Sequence, residues 1–412
     1  MNTSEKWFVF FSMLVGFFIS TEYAVTRPAS SAIFLSVFSS QAIPCVWLIS
    51  VPINLFIVHI YNRYLLKVGP LKMIGSVAAI VISVHLFCFA FLSKFPEFIF
   101  FQFIFKDIYI LLMYKQLWSM IHCTISSSRA KYLYGSIFGV GTLGAVVGSL
   151  IPGFFAVNLG SENLFLCTGP LYLLLYFSYF LAYKRSPLQH ELSQHPDVDS
   201  KESFTLIRRS PFLIAALLLV VFMQVSVGLM DYQFNAHLEL NILDKDLRTE
   251  YMGRVVGLTN AVSLGLQLVG GIFLIHLFGV KRGHLLVPVM LFINAFFTVV
   301  IPTFSMISFA YIFIKSIDFS LFGIIREMLY IPMKLQEKFR AKAIIDVFAY
   351  RSSKALVSLC ILGLQYFIGK EILSITNVLS MIVLLAWIAF VIVMLYIPKA
   401  GLLQKIGESS IS

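Results

Sequence analysis

Residues 212–230 read FLIAALLLVVFMQVSVGLM, an apolar run without a single charged residue. As an α-helix, a run of this length is long enough to cross the hydrocarbon core of a bilayer. Similar runs fill most of the 412-residue chain, which is 59% hydrophobic and 12% charged, with a mean hydropathy of +0.89. A soluble interior does not hold so much apolar surface. The sequence therefore predicts a polytopic, all-α membrane protein and excludes a soluble enzyme or a secreted disulfide scaffold.

The apolar runs, divided at turns and charges, predict twelve transmembrane helices in two groups of six. The predicted helices cover residues 7–31, 39–61, 71–93, 96–121, 132–157, 163–183, 212–238, 252–276, 284–304, 306–332, 342–369 and 372–397. A polar segment separates the two groups. The predicted domains are an N-terminal six-helix bundle at 1–183, a cytoplasmic linker at 184–211, and a C-terminal six-helix bundle with a short cytoplasmic tail at 212–412.

Basic residues are distributed unevenly between the two sides of the predicted membrane protein. If both termini are cytoplasmic, 19 Lys and Arg residues face the cytoplasm and only five face the opposite side. Those five are Lys94, Lys245, Arg248, Arg254 and Lys370. Because basic residues in short loops resist translocation, we expect both termini to be cytoplasmic. The basic residues behind the net charge of +11 thus orient the chain in the membrane, and we expect no nucleic acid polymer as a partner.

The two halves share matched charged positions at an offset of 211 residues. The matches are Arg129-Ala130-Lys131 with Arg340-Ala341-Lys342, Asp107 with Asp318, and Lys115 with Arg326. Three matches at one offset favour duplicated halves. Parallel six-helix repeats related by an axis along the membrane normal resemble the major facilitator superfamily, in which substrate binds near mid-membrane. The expected fold is therefore a pseudo-symmetric, 6+6 major-facilitator-type bundle.

Away from the ends of the predicted spans lie thirteen Asp, Glu, Lys and Arg residues, all on the first, fourth, seventh, tenth and eleventh helices. They are Glu22, Arg27, Lys106, Asp107, Lys115, Asp231, Lys315, Asp318, Arg326, Glu327, Asp346, Arg351 and Lys354. An ionised group at the bilayer centre costs roughly 2.5–3.5 kcal/mol, so most of these side chains must face protein or water. In a facilitator-type bundle the first, fourth, seventh and tenth helices line the central cavity, so the charges predict a polar substrate route. For single residues, structural pairing is an open alternative, as between Lys315 and Asp318.

The seven bases in the spans outnumber the six acids, and matched bases in both halves indicate an anionic cargo. The predicted substrate-binding and translocation residues are Arg27, Lys106, Asp107, Lys115, Lys315, Asp318, Arg326 and Glu327. The chain has no P-loop, so transport would be driven by exchange or by an ion gradient. Gly139, Gly141 and Gly144 form a GxGxxG pattern inside the fifth predicted helix, where close helix packing is the expected role rather than a dinucleotide site.

Two stretches in the C-terminal half resemble the sequence motifs of a known protein family. Residues 326–332 read Arg-Glu-Met-Leu-Tyr-Ile-Pro, and residues 342–346 read Lys-Ala-Ile-Ile-Asp, followed by Arg351 and Lys354. Their order and spacing resemble the ATP/ADP translocase (nucleotide transport protein) family of plastids and intracellular bacteria. Its members carry a Lys-Glu-Met-Ala-Tyr-Ile-Pro-like stretch and then a Gly-Lys-Ala-Ala-Ile-Asp stretch. Residues 118–138 also resemble the family, more weakly.

The resemblance implies an ATP:ADP antiporter in a bacterial inner membrane, with roles for particular residues. Glu327 corresponds to a family glutamate implicated in transport. A signature region at the cytoplasmic mouth matches Lys342, Asp346, Arg351 and Lys354. With Glu22 and Asp231 from the other predicted helices, these four form the expected gate and coupling set. On the first helix only one of the family's bases is present, at Arg27, so the chain is a divergent member.

The sequence thus predicts a monomeric secondary active transporter that moves an anionic metabolite by alternating access, with a nucleotide as first choice. No enzymatic activity, metal or cofactor is expected. Two alternatives stay open. One is a proton-coupled carrier of an amino acid, a cofactor precursor or a drug, for which Asp231, Asp318 and Glu327 are the candidate proton carriers. The other is a non-transporting membrane receptor or scaffold.

Overall fold

The computed structural model describes residues 3–125, 127–186, 211–329, 345, 349–368 and 372–396. These residues are almost entirely helical. The α-helices are α1 (Thr3–Val37), α2 (Ile43–Val68), α3 (Pro70–Phe91), α4 (Ile99–Thr124), α5 (Ser127–Leu159), α6 (Asn163–Cys167), α7 (Gly169–Tyr183), α8 (Pro211–Asn241), α9 (Lys245–Gly265), α10 (Gly271–Val300), α11 (Phe304–Ile317), α12 (Gly323–Leu329), α13 (Tyr350–Ile368) and α14 (Ile372–Tyr396). The prediction of an all-α protein is confirmed for the described residues.

Nine helical segments of the described chain are long and apolar enough to cross a membrane. They confirm an integral membrane protein and match nine of the twelve predicted spans. The fourth, eighth and eleventh predicted spans are not among them. In α4 the reason is plain, because Lys106, Asp107 and Lys115 interrupt the apolar sequence.

Two of the helix boundaries that differ from the sequence prediction have a cause in the local sequence. Helix α9 begins at Lys245 rather than near residue 252, because Asp244 caps it: the Leu247 amide donates to Asp244 Oδ1 at 2.8 Å. Helix α10 runs without a break from Gly271 to Val300, through the turn predicted at residues 277–283. Glycine in that stretch weakens a helix without ending it.

Two helices contain a short π-helical segment in which the backbone widens. One segment, Leu266–Gly270, joins α9 to α10, and the other, Asp318–Phe322, joins α11 to α12. The Gln267 side chain donates to the backbone carbonyl of Phe319 at 3.0 Å, so it links the two segments. Such segments are frequent at functional sites, and here one of them begins at a charged residue.

The chain divides into two compact units by its internal contacts. The first comprises Met1–Ser39, Ile49–Pro196 and Glu239–Leu264, and the second comprises Ser40–Leu48, Asp197–Leu238 and Gly265–Ser412. Helix α9, which lies in the second half of the sequence, therefore packs within the first unit.

In the first unit, α1 is the central helix and packs most extensively against α5. Small residues bring the two backbones together. A Cβ atom added at Gly144 or Gly148 would strike the main chain of Phe17 or Thr21, respectively, and the Thr21 hydroxyl donates to the Gly144 carbonyl at 3.0 Å. Close packing along this glycine face is thus confirmed at these two positions. Around Gly139 the space within 4 Å is open.

Helix α9 packs on α5 through a similar close contact between glycine backbones. The backbones of Gly253 and Gly153 meet so closely that a Cβ atom on Gly253 would lie 2.5 Å from the Gly153 nitrogen. At the end of α5, Gly160 turns the chain with a φ of 85°, a conformation that glycine tolerates best. The next residue, Ser161, donates through its amide (2.8 Å) and hydroxyl (2.5 Å) to the Asp246 carboxylate of α9.

In the second unit, α10 packs against α11 and α14. Aromatic side chains fill the space between helices: Phe234 of α8 stacks on Tyr311 of α11 with ring centroids 4.2 Å apart. Trp387 of α14, fully buried, contacts the rings of Phe222 and Phe322. This packing fixes α8, α11 and the π-helical segment Asp318–Phe322, which carry the charged side chains Asp231, Lys315 and Asp318.

Candidate functional site

A buried lysine and a neighbouring aspartate lie on α4 in the first unit. Lys106 is only 3% exposed, and its ammonium group donates to the Phe103 carbonyl at 2.8 Å and lies over the Phe103 ring. The Asp107 carboxylate is 3.7 Å from that ammonium and accepts a hydrogen bond from Tyr23 of α1 at 3.0 Å. A lysine whose ammonium group lies beside a carboxylate can exchange that carboxylate for a phosphate oxygen.

A buried carboxyl group lies on α1 in the same unit, in contact with α4. Glu22 is 1% exposed, and its Oε1 accepts hydrogen bonds from Thr26 (2.7 Å) and from Tyr109 of α4 (2.8 Å). Arg27 follows on α1, where its side chain is half-buried. Lys115 lies at an exposed position of α4 and donates to Asn62 of α2 at 2.5 Å.

The second unit contains a buried ion pair between two helices. Lys315 of α11 is 7% exposed and its ammonium group lies 2.7 Å from the Asp231 carboxylate of α8. The Lys315 ammonium is also 5.7 Å from the centre of the Tyr311 ring. Low local dielectric strengthens this pair relative to a surface pair, and the same effect would strengthen the attraction of Lys315 for an anionic ligand.

The alternative that Lys315 neutralises Asp318 on its own helix is wrong as a direct ion pair. Asp318 begins the π-helical segment, and among the described residues the Lys315 ammonium pairs with Asp231 rather than with Asp318. Its two carboxylate oxygens accept from the Gln224 amide of α8 at 3.1 and 3.3 Å. Asp318 is therefore a buried carboxylate with an uncharged donor, beside the Lys315–Asp231 pair.

The remaining predicted residues of the second unit follow on α12 and α13. The Arg326 guanidinium donates to the Tyr350 hydroxyl at 3.2 Å, and Glu327 is half-buried one residue later. Arg351 is half-buried, and the Lys354 ammonium lies 5.5 Å from the centre of the Trp47 ring. The predicted residues Lys342 and Asp346 lie outside the described residues.

Each unit therefore brings part of the predicted set together. In the first unit these are Glu22, Lys106 and Asp107, and in the second they are Asp231, Lys315 and Asp318, joined by Gln224 of α8. In the described ranges, no three His, Cys, Asp or Glu side chains are grouped as a metal site would require. In each unit, buried cations that lie next to carboxylates could bind an anion in place of the carboxylate.

One buried cation was not predicted. Arg248, assigned from the sequence to an external loop, lies in the first turn of α9 and is 3% exposed. Its guanidinium donates to the Ile242 carbonyl at 2.8 and 3.0 Å and to the Ala32 carbonyl at 3.5 Å. Burial lowers the pKa of Arg248, while the carboxylates of Glu239 and Asp244 act in the opposite direction. The Asp244 cap is the sequence signal that would have placed Arg248 on a helix.

The fold and the buried charges together define a class, that of polytopic α-helical membrane proteins with cations and carboxylates buried among their helices. Solved transporters share the fold. The nucleoside transporter NupG matches with a TM-score of 0.62 over 94% of this chain and 99% of its own, at 12% identity. An auto-inhibited peptide transporter of the POT family matches with a TM-score of 0.68 over 93% of this chain and 96% of its own, at 10% identity. At this identity the likeness establishes the fold alone.

The sequence family is more specific. The family model of the TLC ATP/ADP transporter matches residues 164–400, more than half of the chain, and the chain belongs to this family. ADP,ATP carrier protein 1 of Chlamydia muridarum is 29% identical over 231 residues, which cover 51% of this chain and 42% of that protein. The carrier of the same name from Chlamydia pneumoniae is also 29% identical over 231 residues, 51% of this chain and 44% of its own. The chain thus matches less than half the length of these relatives. The family and the structural neighbours are transporters, not enzymes.

Proposed function

We propose that this protein is a secondary active transporter that exchanges nucleotides of the ATP/ADP type across a membrane by alternating access. The observation that carries the proposal is the family match over residues 164–400. Carriers with which the chain shares 29% identity are named for ADP and ATP. An anionic substrate fits the buried cations of the chain, because phosphate oxygens accept strong, charge-assisted hydrogen bonds from lysine and arginine.

The proposal gives the charged residues of each unit a task. Lys106, with Arg27 and Lys115, attracts the phosphate groups in the first unit, and Lys315 and Arg326 do so in the second. The adjacent carboxylates hold these cations when no substrate is bound. The Lys315–Asp231 distance of 2.7 Å supports this role, because a phosphate oxygen could replace the aspartate on the same ammonium group.

The acidic and distal residues are proposed to act in gating and in the choice of counter-substrate. Asp107, Asp318 and Glu327 border the cations along the route. Gate and coupling roles are proposed for Glu22, Asp231, Lys342, Asp346, Arg351 and Lys354. In this scheme the π-helical segment that begins at Asp318 is a point where the helix can bend as substrate leaves.

The proposed topology is the twelve-helix, 6+6 major-facilitator-type arrangement, with domain bounds at 1–183, 184–211 and 212–412. We place the protein as a monomer in a bacterial inner membrane with both termini in the cytoplasm. The 19-to-5 distribution of basic residues supports this orientation. Cysteine labelling from either side of the membrane at positions 94 and 63, predicted to face opposite sides, tests it directly.

Uptake of radiolabelled ATP and ADP by bacterial cells that express the protein tests the substrate. We expect saturable uptake that external unlabelled ATP inhibits and that internal nucleotide accelerates. In the Arg326→Ala variant, loss of one charge-assisted contact predicts a loss of about tenfold or more in transport efficiency. The matched control is Arg63→Ala, the same substitution at an exposed position of α2, and it should transport normally.

Two results would contradict the proposal. Normal transport by Arg326→Ala removes that residue from the route. A purified protein that neither transports nor shows a thermal shift with any nucleotide is not a nucleotide carrier, because a ligand that binds the folded state must raise its apparent stability. The same thermal-shift screen, extended to phosphorylated sugars, amino acids and cofactor precursors, then identifies the class of ligand that does bind.

A further inference from the structure

A buried carboxyl group in the first unit has two hydrogen-bond donors on one oxygen and none on the other. Glu22 of α1 is 1% exposed. Its Oε1 accepts from Thr26 at 2.7 Å and from Tyr109 at 2.8 Å. Its Oε2 is buried, and no described residue makes a hydrogen bond to it. The Tyr172 hydroxyl of α7 is buried beside the carboxyl group, and it too makes no well-aligned hydrogen bond to a described residue.

No basic side chain of the described residues lies within ion-pair distance of Glu22. The titratable groups that face it are the hydroxyls of Tyr109 from α4 and Tyr172 from α7. The ring of His85 on α3 contacts both tyrosines, with its centroid 5.9 Å from that of Tyr109 and 6.1 Å from that of Tyr172. Helices α5 and α6 also pack on α1, but place no described titratable group against the carboxyl. A carboxylate removed from water without a cation is strongly unfavourable, so this environment selects the neutral acid.

We propose that Glu22 is a proton-binding site: Oε2 holds a proton in this conformation and releases it to water when the first unit opens. In the bound state the new O–H group can donate to the Tyr172 hydroxyl, which satisfies both of the unpaired atoms. On release the O–H bond at Oε2 breaks, its electron pair stays on the carboxylate, and a water molecule takes the proton as hydronium. The ligand of the site is thus the proton itself.

The site is built for both protonation states, which distinguishes it from a permanently neutral packing residue. Thr26 and Tyr109 already donate to Oε1, and two donors of this kind stabilise a carboxylate once the proton has left. Burial of Oε2 keeps water away while the proton is bound. The same atoms therefore support a closed, protonated form and an open, ionised form.

The proton site and the charged pair on α4 are held by the same two helices. Glu22 contacts α4 through Tyr109, and the next residue, Tyr23, donates to Asp107 at 3.0 Å. Asp107 in turn lies 3.7 Å from the Lys106 ammonium. A shift of α1 against α4 would alter both sets of contacts at once. This inference deepens the proposed nucleotide function, on which its transport test rests, by adding one proton that offsets one negative charge of an anionic substrate.

Infrared spectroscopy of the purified full-length chain tests proton binding without any substrate. At pH 7 we expect a C=O stretching band of a buried, slowly exchanging carboxylic acid that disappears in Glu22→Gln. It should persist in Glu162→Gln, the same substitution at the partly exposed α5–α6 connection. In Thr26→Val the band should persist to higher pH than in the wild type, because the ionised form loses a donor. Identical spectra for wild type and Glu22→Gln at pH 7 would overturn the proposal.

Transport into lipid vesicles tests whether the proton is exchanged. With labelled ATP and an imposed proton gradient, Glu22→Gln should lose at least tenfold of the gradient-driven uptake, whereas the control Glu162→Gln should keep the uptake of the wild type. Gradient dependence equal to that of the wild type would refute release during transport. If the wild type itself moves no nucleotide, the proposed substrate is wrong, and the infrared experiment still decides whether Glu22 binds a proton.

Discussion

The contact between α1 and α5 predicts the effect of a single added methyl group at Gly148. A Cβ atom at this position would lie 2.8 Å from Thr21 Cα and 2.9 Å from Thr21 C, and closer still to the Thr21 carbonyl oxygen. All three atoms belong to the backbone of α1, so no side-chain rotation relieves the overlap. Gly148→Ala must therefore push the two helices apart along their shared surface.

The magnitude follows from the comparison with Gly139→Ala in the same helix. No atom lies within 4 Å of a Cβ added at Gly139, and alanine favours a helix over glycine by about 1 kcal/mol. This helix-propensity gain applies to both variants and cancels in the comparison. What remains is the overpacking term, about 1–3 kcal/mol, and the backbone overlap at Gly148 places the expected difference near its upper end. A gap of even 0.5–1 Å removes about a quarter to a half of the dispersion energy across an interface.

The assay is denaturant-induced unfolding of both variants in the same detergent–lipid mixture, followed by tryptophan fluorescence. Gly148→Ala should unfold at a lower denaturant concentration than the wild type, and Gly139→Ala at an equal or higher one. Gly144→Ala, which would strike the backbone of Phe17, should reproduce the loss. If Gly148→Ala and Gly139→Ala differ by less than about 0.5 kcal/mol, the close approach of these helices does not limit stability and the reasoning is refuted.

Three further substitutions test other contacts. Lys315→Met should lower the free energy of unfolding by about 3–5 kcal/mol because it removes the ammonium group that lies 2.7 Å from the buried Asp231 carboxylate. Adding Asp231→Asn should restore most of this loss, and a double variant no more stable than the single one would exclude the pair. Asp246→Ala should cost about 1–3 kcal/mol and speed amide hydrogen exchange in peptides that contain Ser161, whereas unchanged exchange would contradict the contact. Arg248→Lys should lower the free energy of unfolding by about 1.5–3 kcal/mol, since an ammonium group does not reproduce the guanidinium contacts to three carbonyls. Wild-type stability in thermal or denaturant unfolding would show those contacts to be dispensable.

The sequence predicted the membrane class and the depth of the charges because both follow from local composition. Runs such as residues 212–230 are too apolar for any other solvent, and ionisable residues within them must turn inward. Glu22, Lys106, Lys315 and Asp318 are indeed buried in the structure. The glycine face of α5 was likewise predictable, since small residues at helical spacing favour close contact between helices.

The partners of the charges were not predictable, because they depend on how each helix is rotated against its neighbours. Spacing along the chain paired Lys315 with Asp318, whereas in the structure Asp318 accepts from Gln224 of α8 and Lys315 pairs with Asp231 of the same helix. Arg248 was missed for a different reason. The sequence prediction assigned every base between apolar runs to a loop, whereas Arg248 lies in a helix that the N-cap residue Asp244 starts.

The seating of α9 on α5 determines how this chain can be dissected in the laboratory. A fragment that ends within the linker would keep Gly153 and Ser161 of the first unit but would lack α9, which packs against them. The surface that α9 covers would then be exposed to lipid or to other copies of the fragment. Such a fragment should be trapped in inclusion bodies when made alone. Co-expression with the complementary fragment, which supplies α9, should be required to recover a folded protein from the two separate fragments.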